Sequence, residues 1–440
     1  MVGKGLSKGK IEEISFTKKE PEWMRSLRLE SYEIFNKIPM PSFGPDLSGL
    51  DLSNINFYRR PEVIHATSWQ DLPEDIRLTY EKLKVPEMER QYLAGNMAQY
   101  ESEAVYEKLK KNWEKQGIIF MDMDTAVQKH PDLVKKYFMK LVPSADHKFT
   151  ALHGAVWSGG TFVYIPKGIH VCLPISAYFR MQGPRMGQFE HTIIIADEGS
   201  FVHYLEGCTA PIYSSNSLHA GVVEIYVGKK TRVRYTTVQN WSKNVYNLNT
   251  KRARVEEGGR IEWVSGSLGS KITMLYPTSV LVGRGASSSH LSLTWAGKGQ
   301  IKDTGAKVIH LAQDTSSTIL SKSIAFGGGK TTFRGLINVK KGARGVKSTM
   351  RCESLILDKE SSVDSYPNLR IKEKDVSVSH EAVIGKISEE QLFYLKTRGI
   401  SEKEATNLIV SGFIEPIVSE IPFEYAIELN RLIAMEANLC

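Results

Sequence analysis

Apolar positions change their period twice along the chain. In PEWMRSLRLESYEIFNKI (residues 21–38) and ESEAVYEKLKKNWEKQGI (101–118) they recur every three or four residues, which predicts helices. Between them, PMPSFGPDLSGLDLSN (39–54) is rich in breakers and predicts a long loop. From about Lys148 the pattern becomes short runs rich in β-branched and aromatic residues: TFVYI, HTIIIA, FVHYLEG, VVEIYV, RVRYTTV and IEWVSGSL. These predict strands. After about Ile387 helical spacing returns in SEEQLFYLKTRG and SEKEATNLIVSG, which open with Ser388/Gln391 and Ser401/Glu404 capping pairs and reach Gly399 and Gly412. Pro422 starts a third predicted helix. Three regions follow: an N-terminal helical and irregular region (1–147), a strand-dominated core (148–386) and a C-terminal helical region (387–440).

The turns between the strands recur at a nearly constant distance, around Gly199, Gly228, Gly258, Gly285, Asp314 and Gly342, with intervals of 29, 30, 27, 29 and 28 residues. A mainly β chain with this period and no helix inside it predicts a β-solenoid whose coils stack on one another. A β-sandwich has no reason to keep such a period. The two ends of a solenoid need caps, which the flanking helices can supply.

Composition narrows the class. The chain has 440 residues, 41% hydrophobic and 24% charged, and no run approaches the roughly 18 apolar residues of a membrane span. The basic N-terminus is followed by no apolar stretch of a secretory signal, so the expected setting is cytoplasmic, with no membrane. A net charge of +8 is spread along the chain and gives no nucleic-acid footprint. Four widely spaced cysteines, Cys172, Cys208, Cys352 and Cys440, with no CxxC among them, point to reduced thiols and not to a disulfide framework or a local zinc or ferredoxin-type site.

The candidate chemistry centres on two of these thiols. Cys352 lies in RCESLIL, and His380 and Glu381 follow it by 28 and 29 residues, about one coil. Residues one period apart stack on successive coils, so the thiol and the His-Glu pair are expected to be neighbours, a ligand set suited to iron or a nucleophile with its base. Strand alternation sends His380 and Glu381 to opposite faces unless the strand bends. Packing of Cys352 as a small hydrophobe is the competing reading. Cys208 ends a strand after Gly207, with His203, Glu206 and His219 nearby, and is equally readable as a buried corner residue. Cys172 reads as filler and Cys440 as a mobile terminus. IAFGGGKTT lacks the first glycine of a phosphate-binding loop and HEAVI lacks the second histidine of a zinc protease, so neither activity is expected.

The stretches GGTFVYIPKG, GQFEHTIIIADEGS, YLEGCTAPIYSSNSLHA, TVQNW and ISEEQLFYLKTRGISEKEA resemble the SufB/SufD family of the SUF iron–sulfur cluster assembly machinery, its SufB branch in particular. The resemblance runs from about Asp146 onward. It implies a right-handed parallel β-helix between helical regions. It also implies a non-enzymatic scaffold with Cys352, His380 and Glu381 at the site of nascent cluster assembly, and Cys208 as sulfur acceptor. Arg180, Gln239, Trp241 and Lys251 fall on positions associated with sulfur passage. The implied cargo is a transient 4Fe–4S or 2Fe–2S cluster, with reduced flavin as an electron source. The implied partners are a SufC-type ABC ATPase at the C-terminal helices, a second copy or a SufD-like subunit, and apo iron–sulfur proteins. The chain departs from many members in lacking an N-terminal cysteine cluster. A structural SufD-like role and a carbohydrate-active β-helix enzyme are the alternatives; the latter needs a carboxylate cluster that does not stand out here.

Overall fold

Between about residues 160 and 386 each turn of the chain lays a strand into each of two facing sheets. The computed structural model describes residues 5–60, 66, 68–82, 93–211 and 214–420. The result is a β-solenoid of about eight turns with helices at both ends. The first sheet has ten strands, and from Ile175–Arg180 onward its neighbours are parallel: Phe201–Thr209, Arg232–Trp241, Arg260–Gly269, Ser287–Ala296, Ser316–Ala325, Val346–Ile356 and Val376–Lys386. In the early coils the second face is broken into two short strands, as in Ser217–His219 and Val222–Val227. From Ile301–His310 it is continuous.

Parallel stacking puts like residues over like. Tyr204, Tyr235, Trp263 and His290 occupy one inward column on successive coils, with ring centroids 5.5, 5.3 and 6.1 Å apart. Such aromatic ladders combine large burial with favourable ring geometry. They join Val202, Val233, Ile261, Ile194, Ile225 and Ala253 in one core running along the coil axis. The recurrent turns need left-handed backbone, met by Gly258 (φ 63°) and, without glycine, by Asp314 (φ 58°).

Helices α1 (Lys8–Thr17), α2 (Glu22–Lys37), α3 (Glu74–Lys82), α4 (Lys111–Glu114), α5 (Met123–Lys129), α6 (Pro131–Tyr137) and α7 (Lys148–Val156) precede most of the strands. Ile11 and Ile14 of α1 and Phe149, Leu152 and Val156 of α7 pack on Leu218, Tyr246 and Ile272 of the second sheet. One stretch departs from the expected helix: Glu103–Leu109 is a strand, antiparallel to Gly95–Tyr100, which in turn pairs in parallel with Ile175–Arg180. Only the four residues of α4 in that stretch are helical. Its apolar residues fit both periods, and the open edge of the first coil selects the strand.

At the other end, α8 (Glu389–Thr397) stops before Gly399 (φ 82°), whereas α9 (Glu402–Val418) runs straight through Gly412, an expected stop, and through Pro416. Val410, Ile414 and Ile417 of α9 cover Val264, Leu293, Trp295, Ile324 and Leu355 on the outside of the first sheet. That burial holds the helix past its local stop signal. Helix α8 buries nothing and leaves Phe393 and Tyr394 exposed. The third predicted helix, from Pro422, lies outside the described residues.

Candidate functional site: two thiols in one solenoid interior

Cys208 sits on the inward face of Phe201–Thr209 and is 1% exposed. Glu206, two residues earlier on the same face, holds its Oε1 3.8 Å from the thiol. From the opposite sheet Lys251 reaches across the interior and gives its ammonium to Glu206 Oε1 (2.6 Å) and to the Tyr235 hydroxyl oxygen (2.9 Å). Thr237 and Tyr235 donate to the same carboxylate. Burial works against the Glu206 charge, but Lys251 and these donors outweigh it and hold the carboxyl below its ordinary range. Burial, with the charges of Glu206 and Glu190, pushes the Cys208 thiol well above its usual range, so the resting group is the thiol.

Gln239 is the register partner of Cys208 on the next coil, and Trp241 follows on the same face. Arg180 is not brought to this chamber. Phe179 is the residue that pairs with Cys208, and alternation puts Arg180 on the opposite face, where its charge acts on Glu101.

Two polar columns run from this chamber along the first sheet. Glu206 is followed on successive coils by Thr237, Ser265, Ser292, Ser321 and finally Cys352; Cys208 by Gln239, Ser267, Thr294, Ser323 and Ser354. Hydroxyl contacts link neighbours: Ser292 with Ser321 (3.0 Å) and Ser323 with Ser354 (2.8 Å). Ser265 and Ser292 are only partly buried although they point inward, so the interior retains open space there. Five coil steps of about 4.8 Å make the distance about 24 Å.

Cys352 is 2% exposed and its Sγ lies 3.1 Å from Ser365 Oγ on the opposite sheet. Burial raises this thiol too, against the Ser365 hydrogen bond and with a further push from the Glu353 charge. The expected trio does not converge. Cys352 pairs with Ala382, while His380 pairs with Met350 on the same inward face and Glu381 pairs with Arg351 on the outward one. His380 is thus a diagonal neighbour of the thiol, its Nε2 buried with no hydrogen-bond partner among the described residues. Glu381 is exposed and faces the Arg351 guanidinium at 3.6 Å. Among the described residues no three His, Cys, Asp or Glu side chains gather as a metal site. Cys172 is exposed, and Cys440 lies outside the described residues.

Among the described residues the coil carrying His380 is the last one. There, strands Ser362–Ile371 and Val376–Lys386 pair only with the coil before them, and Leu369, Ile371, Val383 and Ile384 are exposed. No helix among the described residues is long and apolar enough to cross a membrane. The column serines and threonines escaped the sequence reading; aligning the strands coil by coil was the signal that contained them.

Residues 179–413 match the family described as SUF system FeS cluster assembly, SufBD core domain, and residues 13–176 match the SufBD protein N-terminal region. An iron–sulfur cluster assembly SufBD family protein of Staphylococcus aureus is 54% identical over 433 residues, covering 98% of this chain and 93% of its own length. A SufBD family protein of Staphylococcus saprophyticus is similar to the same extent. With both halves matched and more than half of all positions identical, this chain belongs to the SufBD family of iron–sulfur cluster assembly proteins.

Proposed function

We propose that the chain is the SufB-type scaffold of its system: sulfur enters at Cys208, passes along the solenoid interior, and is built with iron into a nascent cluster at Cys352. The observation that carries this reading is the pair of inward polar columns that lead from the Cys208 chamber to Cys352 beside the last described coil. One chain offers the cluster a single thiolate with His380, too few ligands for an iron–sulfur cluster. The final coil therefore meets a second copy or a SufD-like subunit, and Glu381 contributes from outside, across that contact. Exposed Phe393 and Tyr394 on α8 are the docking face for a SufC-type ATPase, whose ATP hydrolysis drives release to apo iron–sulfur proteins; this chain itself is no enzyme. Reduced flavin as electron source and a cytoplasmic setting complete the proposal.

Anaerobic reconstitution with ferrous iron tests it, using sulfide or a small persulfide as the sulfur source, with the partner ATPase present. A 4Fe–4S or 2Fe–2S absorption and Mössbauer signature is expected. Cys352→Ser should abolish it with either source, and Cys208→Ser only when sulfur is offered as persulfide. Normal clusters on the Cys352→Ser chain would end the assignment.

A further inference from the structure

Two buried donors beside Cys208 have nothing to bind. Gln239 Nε2 and Trp241 Nε1, on side chains 1% exposed, have no acceptor among the described residues. Buried donors are normally satisfied, so a pair of them facing the chamber of a thiol marks the place of an absent acceptor.

A chain of hydrogen bonds sets the direction of the Gln239 amide. Asn247 Nδ2 donates to Gln239 Oε1 (2.6 Å), which turns the Gln239 NH2 away from Asn247. The Asn247 Oδ1 then faces His219 Nδ1 at 2.9 Å, so that nitrogen carries a hydrogen. His219 Nε2 meets the Glu190 carboxylate, and the Trp241 ring packs on the imidazole at 4.3 Å.

The chain from Glu190 through His219 and Asn247 thus leaves the Gln239 NH2 as the end of the amide turned from Asn247 toward the chamber. We infer that Glu190, His219 and Asn247 are positioning residues that turn the Gln239 NH2 toward Cys208, and that this donor, with Trp241 Nε1, holds the outer sulfur of a Cys208 persulfide.

The inference rests on Cys208 as sulfur acceptor. In the transfer the S–S bond of a persulfide donor breaks as a new S–S bond forms to Sγ. The outgoing thiolate takes the Cys208 proton, and the outer sulfur keeps its own. No outside oxidant or reductant is needed.

The test loads the purified chain with glutathione persulfide under anaerobic conditions and follows sulfane sulfur on Cys208 by cyanolysis. The wild type should hold sulfur that Cys208→Ser does not. Asn247→Leu and His219→Ala should shorten its half-life by about tenfold, the scale of one lost hydrogen bond. His219→Asn, whose amide can donate where Nδ1 stands, should restore it. A residue that only filled space would not be rescued by the smaller asparagine. Near-UV circular dichroism checks that each variant is folded. Wild-type half-lives in Asn247→Leu and His219→Ala, or no rescue by His219→Asn, would overturn the relay while leaving Cys208 as acceptor. Equal sulfur on the wild type and Cys208→Ser would remove the acceptor role itself, and the relay with it.

Discussion

Glu381 and Cys352 stand on opposite faces of adjacent parallel strands, the carboxylate outward with Arg351 and the thiol inward with Ser365. Within one chain, Glu381→Gln should leave the alkylation rate of Cys352 by iodoacetamide unchanged. It should alter stability by no more than about 1 kcal/mol, because the Arg351 pair is exposed. A large effect of the same substitution on cluster yield in the assembled complex, with none on the isolated chain, is the expected signature of a group acting across a subunit contact.

The Lys251–Glu206 pair is buried on both sides, each side chain 1% exposed. Lys251→Met removes one charge and strands the other in the interior, so urea denaturation should show a loss of about 3–5 kcal/mol. Adding Glu206→Gln should recover most of that loss, because the stranded charge goes with it.

Glu224 should be a neutral carboxylic acid in the native protein below about pH 7. His153 Nδ1 faces the Ala220 carbonyl oxygen (2.9 Å) and must carry a hydrogen; its Nε2 then accepts from His191 Nδ1 (2.9 Å). His191 Nε2 is left to accept from Glu224 Oε2 (3.0 Å). Burial keeps both imidazoles uncharged and pushes Glu224 up to about 7, against the pull of backbone N–H groups at Val142, Leu141 and Met139. Because the folded value lies above the unfolded one, the unfolded chain loses this proton first. The contribution of Glu224 is therefore full below about pH 4.5 and declines as pH rises to about 7, by some ~3 kcal/mol in all. Denaturation midpoints across this window should fall less steeply in Glu224→Gln.

The two described C-terminal helices should separate packing from docking. Ile414→Ala opens a cavity under α9, and hydrogen exchange along that helix should quicken with a loss of about 2–4 kcal/mol. Phe393→Ser and Tyr394→Ser on α8 should leave denaturation unchanged while weakening ATPase binding in titration calorimetry.

The coil period and the turn positions were legible in the sequence because each coil repeats the same demands on its residues: alternating inward and outward side chains, then a left-handed turn. Placement of the last site residues was not. Cys352 and Glu381 are 29 residues apart, a spacing at which they would stack, but the final coil advances by 30, so Ala382 takes that place. A single residue of turn length flips the face of every side chain that follows. Sequence alone offers no measure of that length where turns vary between 27 and 30 residues. Residues 101–118 failed for a different reason: their spacing fits a helix as well as a strand, and only the edge supplied by Ile175–Arg180 decides. The Asn247–Gln239 contact was hidden because it crosses from one sheet to the other, a relation no linear period encodes.

Among the described residues the solenoid is finished at one end and open at the other. An antiparallel hairpin closes the first coil, while the last presents strand edges with no partner among those residues and exposed leucine and isoleucine side chains. Such an edge accepts any strand that fits it. If the final coil is covered as proposed above, surplus copies of this chain would leave that edge open, and the supply of the chain would have to match that of its partner. Under that proposal stoichiometry of synthesis becomes a condition of solubility, set by about twenty-five residues at that end.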